Sequence, residues 1–496
     1  MSARHVIIAG SGNAALCAGI AALESGARVT LLEKADASLA GGNSRYTAGA
    51  MRFAYGSRED ILALLADPDD PRITRTDFGR YPVSAFERDM LAFNAGAPLN
   101  ARQRRLIDES YATMEWLERH GVRLAPIWSR QAYERDGKLV FWGGLTLEAE
   151  GEGVGLVDAE LAEFRRLGGD VVFGAECREL VVEDGRVTGM RYLADGGSKT
   201  ATGHAVILGC GGFEASPKLR AELMGERWRH AKVRGTPHNL GQGLTMALAA
   251  GAALAGRPDG CHAVPMDRDM PDFGNLELPM IERKHYRKIC YFLGVMLNAR
   301  GRRFVNEGEN FRNYTYAQFG RAILEQPGQV AWQVFDAKVL PLLYDEYRFR
   351  HASFVEADTL EQLVAEMDGV DADTALATLE EFNAAVDMSA AFDPTVLDAR
   401  RTRGLAIDKT NWANRIDTPP YRAYPVTCGI TFTYAGVAID DAAAVLRPDG
   451  TAIEGLYACG EMVGDVFRGG YPGGSGLTSG AVFGRLAGRS AAREFD

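Results

Sequence analysis

Residues Gly10-Ser11-Gly12-Asn13-Ala14-Ala15 carry the first chemistry legible in the chain, a GxGxxA turn between an apolar run and an Ala-rich segment. Such a turn turns backbone N–H donors and the positive end of a helix toward a diphosphate. Gly10 permits the tight turn, Gly12 lets the backbone approach the pyrophosphate, and Ala15 keeps helix and strand close. Glu33 follows about twenty residues on, where a carboxylate accepts the ribose hydroxyls. Gly41-Gly42-Asn43-Ser44 adds a second glycine segment able to pass close to the diphosphate. Near the C-terminus, Gly460-Glu461 ends the segment GLYACGE, and the glycines after Tyr471 lead into a helix opening at Ser475, Gly476 and Leu477. That helix start is suited to the pyrimidine edge of a flavin, which gains negative charge on reduction. Three glycine clusters that end in helices point to FAD, rather than to glycines that serve turns alone.

The elements that must position these residues follow from periodicity. HVIIAG (5–10) reads as a buried parallel strand, residues 14–25 as a helix ended by Gly26, and ARVTLLEK (27–34) as the next strand, which completes a βαβ unit. Residues 57–120 are mostly helical, broken by DPDDPRITRTD (67–77). Residues 177–193 alternate around Asp184-Gly185 as a hairpin or meander. HAVILGCGGF (204–213) is another buried strand, and TMALAAGAALA (245–255) a small-residue helix suited to close packing on a sheet. Aromatics and charges dominate 257–410, with helices at 359–370 and 372–387. The expected architecture is α/β: a discontinuous Rossmann-type FAD-binding domain (1–256 and 411–496) with an inserted α+β cap domain (257–410).

Composition narrows the function class. Lys plus Arg number 55 against 66 Asp plus Glu, a formal charge of −11 over 496 residues, with the basic residues dispersed. This weighs against a nucleic-acid partner and leaves an anionic substrate open. Seven cysteines without a CxxC pair suggest no disulfide framework, metal site or c-type haem. The start MSARHVIIAG lacks a signal-peptide layout and no apolar run is long enough for a bilayer, so a cytoplasmic enzyme is expected.

Taken in order, GSGNAA, LLEK, GGNS, ILGCGG, GRRFVNE (301–307) and GLYACGE resemble the flavoprotein family of fumarate reductases, succinate dehydrogenases and 3-ketosteroid dehydrogenases over nearly the whole chain. The resemblance implies FAD contacts from Gly10, Gly12, Asn13, Ala14, Glu33, Lys34, Gly42, Asn43, Ser44, Cys177, Gly211, Gly460, Glu461, Ser475, Gly476 and Leu477. Covalently flavinylated relatives carry a histidine just after the second glycine cluster. Residues 43–48 here are Asn-Ser-Arg-Tyr-Thr-Ala, so non-covalent FAD is expected. GGNSRYTAGAMR, GRRFVNEGENFRNYTYA and GGYPGGSGLTSGAVFGRLAG most resemble the subgroup that dehydrogenates tricarballylate.

The same resemblance implies the active-site candidates. Family fumarate reductases use an arginine after RFVNE as proton donor; Phe311 occupies that position and Arg312 stands one residue later. The family HHTMGG is replaced by TFTYAG, which removes two histidines and leaves Thr431 and Thr433 as possible carboxylate donors. Tyr471-Pro472-Gly473 resembles the YPGxG of ketosteroid dehydrogenases, and Arg468 is placed to restore a missing positive charge. His262 lies within one position of a carboxylate-binding histidine. ERKHYRK (282–288) reads as a solvated face.

Dehydrogenating a CH–CH bond beside a carboxylate needs a base, a hydride acceptor and cations to steady the growing enolate charge. Guanidinium normally stays protonated, which makes Tyr471 the alternative to Arg312 for proton transfer. The expected reaction is tricarballylate to cis-aconitate, with electrons passed to a separate membrane-bound iron–sulfur acceptor. The alternatives are a ketosteroid or cyclic-ketone dehydrogenase, a fumarate-reductase-like enoate reductase, and a non-catalytic FAD electron-transfer subunit.

Overall fold

His5–Ala9 (β1) is nearly all apolar, the pattern of a strand covered on both faces, and its last four residues are buried. The computed structural model describes residues 4–141 and 144–493. They fall into two units, one of Met1–Gly225, Gly235–Cys261 and Phe432–Asp496, the other of Glu226–Arg234 and His262–Thr431.

In the first unit β1 pairs in parallel with β2 (Arg28–Leu32) on one side and β4 (Ala205–Leu208) on the other. β3 (Asp170–Val172) extends the sheet beyond β2, and β6 (Ala452–Ala458) pairs in parallel with β4. Antiparallel β5 (Ala444–Leu446) closes the far edge, giving the order β5-β6-β4-β1-β2-β3. This is the α/β nucleotide-binding fold expected, with its last strands supplied from the C-terminal end of the chain. The Asp184-Gly185 turn joins Glu176–Glu183 to Arg186–Ala194, and both turn residues take positive φ, 50° and 83°. That backbone is what a two-residue hairpin turn of matching twist requires.

Helix α1 (Asn13–Glu24) follows β1 and is crossed by α3 (Ser475–Arg493). The crossing is tight because α3 presents glycine every fourth residue. A Cβ at Gly484 would lie 2.4 Å from the Ala14 carbonyl oxygen, and one at Gly488 2.1 Å from that of Ala18. The sequence places close small-residue packing at 245–255 instead. There the helix runs only Gln242–Ala249, and Gly251 at φ 91° turns the chain into a two-residue strand. Alanine content favours helix, but a left-handed glycine just past the last turn ends it.

Helix α2 (Glu152–Arg166) buries Glu160 completely. Its Oε1 accepts the Cys17 thiol at 3.5 Å, while Oε2 has no partner among the described residues. Burial pushes this carboxyl well above its ordinary value. A group whose pKa rises on folding favours the fold below its unfolded pKa and loses that contribution as pH climbs toward the folded value. Glu160→Gln, neutral at every pH, should therefore match the wild type near pH 4 and melt higher at pH 8. Each pH unit within that window contributes about 1.4 kcal/mol. Thermal unfolding at both pH values checks this; a variant less stable at pH 8 would contradict a neutral Glu160.

In the second unit an antiparallel sheet is built from Val295–Asn298, Val330–Phe335 and the strand Tyr421–Thr433 up to Thr431, with Cys261–Asp267 and Lys232–Val233 paired to that long strand. One apolar cluster holds Tyr291, Phe335, Tyr347, Trp412 and Tyr424; another seats helices Leu360–Glu366 and Ala372–Ala385 through Leu363, Leu379 and Phe382. Helix Arg312–Leu324 comes down on the Cys261–Asp267 strand at Gly320, where a Cβ would meet the Ala263 carbonyl carbon at 2.5 Å. Among the described residues no helix is long and apolar enough to cross a membrane.

Candidate active site

The turn after β1 is built from the backbone outward. Gly10 sits at φ 102°, and a Cβ there would stand 2.6 Å from the Gly209 carbonyl oxygen. Gly12 caps α1 in extended conformation with no side-chain hydrogen bond. Asn13 donates its N–H to Ser44 Oγ at 3.1 Å and its Nδ2 to the Leu477 carbonyl at 2.9 Å. One residue thus joins the first glycine turn to the second and to the start of α3. Gly42, at φ 54°, would meet nothing within 4 Å if it carried a Cβ, so open space lies over this turn. Buried Glu33 accepts Ser11 Oγ at 2.5 Å and the Ala35 N–H at 2.7 Å, which fixes its carboxylate beside the turn. Lys34 pairs with Glu176 at 3.0 Å, next to buried Cys177, whose thiol burial pushes up. Gly211 (φ 74°) lies against Asn239, and Gly460 (φ 65°) against Ala14. Ser475 and Gly476 open α3 directly behind Gly474 at φ 89°. A helix start with glycine at its N-cap, a fixed acid one strand over and open backbone at Gly42 are the parts a dinucleotide needs.

The remaining first-unit candidates divide. Tyr471 is buried among aromatic rings, 5.3 Å from Phe432 and 5.4 Å from Phe467 between centroids. Thr433 gives both its N–H (2.6 Å) and its hydroxyl (2.8 Å) to Glu461 Oε1. Arg468 binds Asp465 through Nε at 3.0 Å and Nη2 at 3.3 Å. Its charge is answered within its own turn, where the sequence reading had it free to serve a substrate.

The second unit gathers a basic cluster. His262 is buried on the Cys261–Asp267 strand, edge-on to the Tyr316 ring at 4.9 Å. Burial, then Arg234 and Arg287, hold its pKa well below the ordinary value, so the imidazole is neutral. Arg234 donates to Thr431 Oγ1 at 3.3 Å. Arg312 opens its helix with Nε and Nη2 sealed from solvent and without a hydrogen-bond partner among the described residues, its guanidinium 5.0 Å from the Tyr344 ring centroid. Arg287 ion-pairs with Glu346. Burial, the largest single influence, would lift the Glu346 carboxyl, but the charge and hydrogen bond of Arg287, a backbone hydrogen bond and the Arg312 charge together outweigh it, and the group sits at about 2. Buried Lys288 also acts on Glu346 and pairs with Asp267 at 3.5 Å.

This corrects one reading. The ERKHYRK segment is not a solvated face: Arg283, Lys284, Arg287 and Lys288 are all buried, in and after a 3-10 turn at Met280–Tyr286. Arg283 donates to the Leu276 and Leu278 carbonyls, while Arg287 and Lys288 pair with Glu346 and Asp267 from outside the segment. Arg234 was missed for the same reason. In the first unit, fully buried Arg52, which binds the Gly473 carbonyl at 2.7 Å, was also missed. The one available signal was its place in GGNSRYTAGAMR.

The fold and this cradle define a dinucleotide-binding framework. The chain belongs to the FAD-binding-domain family, whose model matches residues 5–477. Its cofactor is accordingly FAD, and the residues described above fit it. A 4-oxocyclohexanecarboxylate 2-dehydrogenase of Sinomonas cyclohexanicum is 30% identical over 99% of this chain and 93% of that protein. An NADH:acrylate oxidoreductase of Vibrio harveyi is 25% identical over 98% of this chain, which spans about half (50%) of that protein. The open conformation of a flavocytochrome c3 fumarate reductase superposes with a TM-score of 0.74 at 25% identity, covering 100% of this chain and 79% of that one.

Proposed function

We propose that the chain is an FAD-dependent dehydrogenase acting on a CH–CH bond next to a carboxylate, with tricarballylate to cis-aconitate as the first reaction to test. The observation that carries this is the basic cluster of the second unit, in which Arg234 and Arg287 act on neutral His262 and Arg287 and Arg312 act on Glu346. Guanidinium groups bind carboxylates through paired, charge-assisted hydrogen bonds, and burial strengthens that attraction. Arg312 is assigned to orient a substrate carboxylate and steady the charge that grows as the α-proton leaves. A guanidinium that keeps its charge is a poor base, so Tyr471 is assigned the proton. Bound FAD supplies the hydride acceptor, held without a covalent bond because residues 43–48 contain no histidine. A separate membrane-bound iron–sulfur protein is the proposed re-oxidant.

A second reading is favoured by a specific observation. The 30%-identical relative is named for a cyclic keto acid, 4-oxocyclohexanecarboxylate. Tyr471, set among Phe432 and Phe467, offers a hydroxyl in apolar surroundings of the kind a ring ketone would use.

Calorimetric titration of the holoenzyme separates carboxylate recognition from simple apolar binding. Tricarballylate and 4-oxocyclohexanecarboxylate are compared with their methyl esters. The acids are expected to bind and the esters to lose at least tenfold. Equal affinity for an acid and its ester would remove the carboxylate role of the cluster.

A further inference from the structure

Glu214 and Glu461 bring two carboxyl groups together inside the first unit, and the nearby buried Arg220 guanidinium donates to the Glu214 backbone carbonyl rather than to either carboxyl in the hydrogen bond the structure shows. Glu214 follows β4 across Gly211-Gly212-Phe213 and is wholly buried. Its Oε1 accepts Asn43 Nδ2 at 2.6 Å and Asn239 Nδ2 at 2.5 Å. Its Oε2 is sealed from solvent and meets no N–H or hydroxyl donor among the described residues. The Glu461 carboxyl lies close enough for its charge to act on this group. Two neighbouring carboxyl groups sealed from solvent do not both ionise, so one of them keeps a proton.

The surroundings are shaped for the pair. Glu461 Oε1 is fixed by the Thr433 N–H and hydroxyl. A Cβ at Gly212 would fall 2.1 Å from Glu461 Oε1 and 2.4 Å from Thr433 Oγ1, so glycine is what leaves room for it. Asn43 ties the pair to the Gly42–Tyr46 turn, whose Ser44 receives the first N–H of α1, and its Oδ1 accepts the Thr236 N–H at 2.8 Å. The glycine turn expected at the diphosphate and the acid at the end of GLYACGE are therefore joined through Glu214.

We propose that Glu214 and Glu461 share a single proton, that Glu214 is the residue positioning Glu461 and the Asn43 turn for FAD, and that losing this proton releases the cofactor. Burial raises both carboxyls, and the neighbouring Glu461 charge raises Glu214 further. The other groups facing the pair are Asn43, Asn239, Thr433 and the Gly212 backbone, all uncharged, the Cys210 thiol, itself pushed up to about 12 by burial, and the buried Arg220 guanidinium on the Glu214 backbone carbonyl. Once the proton leaves, two adjacent carboxylates repel in a poorly solvated site. The Asn43 turn is then drawn away from the diphosphate. FAD adds two phosphates and excludes more water, so its binding favours the protonated pair.

The proposal rests on FAD in the first unit and on no substrate. Holoenzyme diluted into buffers from pH 6 to pH 10 is followed by the fluorescence of released FAD. Wild type is expected to release flavin at least tenfold faster above the pair's titration than below it. Glu214→Gln keeps the hydrogen bonds but has no proton to lose at this position, and its release should be flat with pH. A Glu214→Gln profile that tracks wild type, or a flat wild-type profile, overturns the proposal. Should the variant purify without flavin, the infrared difference spectrum of wild-type holoenzyme decides. A protonated-carboxyl band lost over the pH range of FAD release supports the shared proton, and no such band overturns it. Wild type lacking FAD at every pH would instead remove the cofactor reading.

Discussion

Arg312→Met should lower turnover of the carboxylate substrate by about 10²–10³-fold while leaving FAD content unchanged. The magnitude is that of removing one preorganised donor from the place where charge develops. Arg312 has the features of such a donor: Nε and Nη2 are sealed and without partners among the described residues, and the planar group rests over Tyr344. An arginine kept only for packing would be expected to spend those N–H groups on nearby carbonyls, because an unmet buried donor costs about 1–3 kcal/mol. Arg312→Lys restores charge without the fork and should recover part of the loss. Steady-state kinetics with flavin content measured alongside reads the effect. Unchanged kcat and KM in Arg312→Met would remove this residue from the reaction.

The second large effect belongs to the first glycine turn. Gly10→Ala should yield protein that retains little or no FAD. At φ 102° a side chain costs about 1–3 kcal/mol before any contact is counted. The added carbon then meets backbone, at 2.6 Å from the Gly209 oxygen and 3.0 Å from Cys210 Cα, and neither can swing aside. Gly12→Ala is the informative companion. Its backbone is extended, and a Cβ would meet only Ser44 Oγ at 3.3 Å and the Gly41 oxygen at 3.4 Å. The polypeptide tolerates that carbon far better, so weaker FAD binding in folded Gly12→Ala reports crowding by the ligand itself. Flavin absorbance per polypeptide, with thermal unfolding as the folding check, distinguishes the two variants. FAD binding by Gly12→Ala as tight as wild type would place the diphosphate elsewhere.

What the sequence disclosed follows the range of the interactions. The β1–turn–α1–β2 unit and the Asp184-Gly185 hairpin are set by neighbours in the chain, where apolar runs and glycine backbone freedom act directly. The glycine-spaced face of α3 was present in GSGLTSGAVFGRLAG, but its partner α1 begins more than four hundred residues earlier, 464 for the Asn13–Leu477 hydrogen bond. The buried basic cluster was not legible, because a charged run is solvated by default and only distant partners reverse that. Arg287 needs Glu346, 59 residues on, to be buried at all. Arg468 shows the converse. Its type suited a substrate carboxylate, and a local Asp465 takes it instead. Glu214 drew no notice because its chemistry appears only when Glu461 is beside it.

The central claim is oxidation of a carboxylate substrate by the bound flavin. Purified holoenzyme is mixed anaerobically with tricarballylate and, separately, with 4-oxocyclohexanecarboxylate, and the flavin absorbance is followed. The account predicts bleaching by at least one of them, with unsaturated acid formed in proportion to flavin. A spectrum left unchanged by both, in protein that dithionite readily reduces, would contradict it.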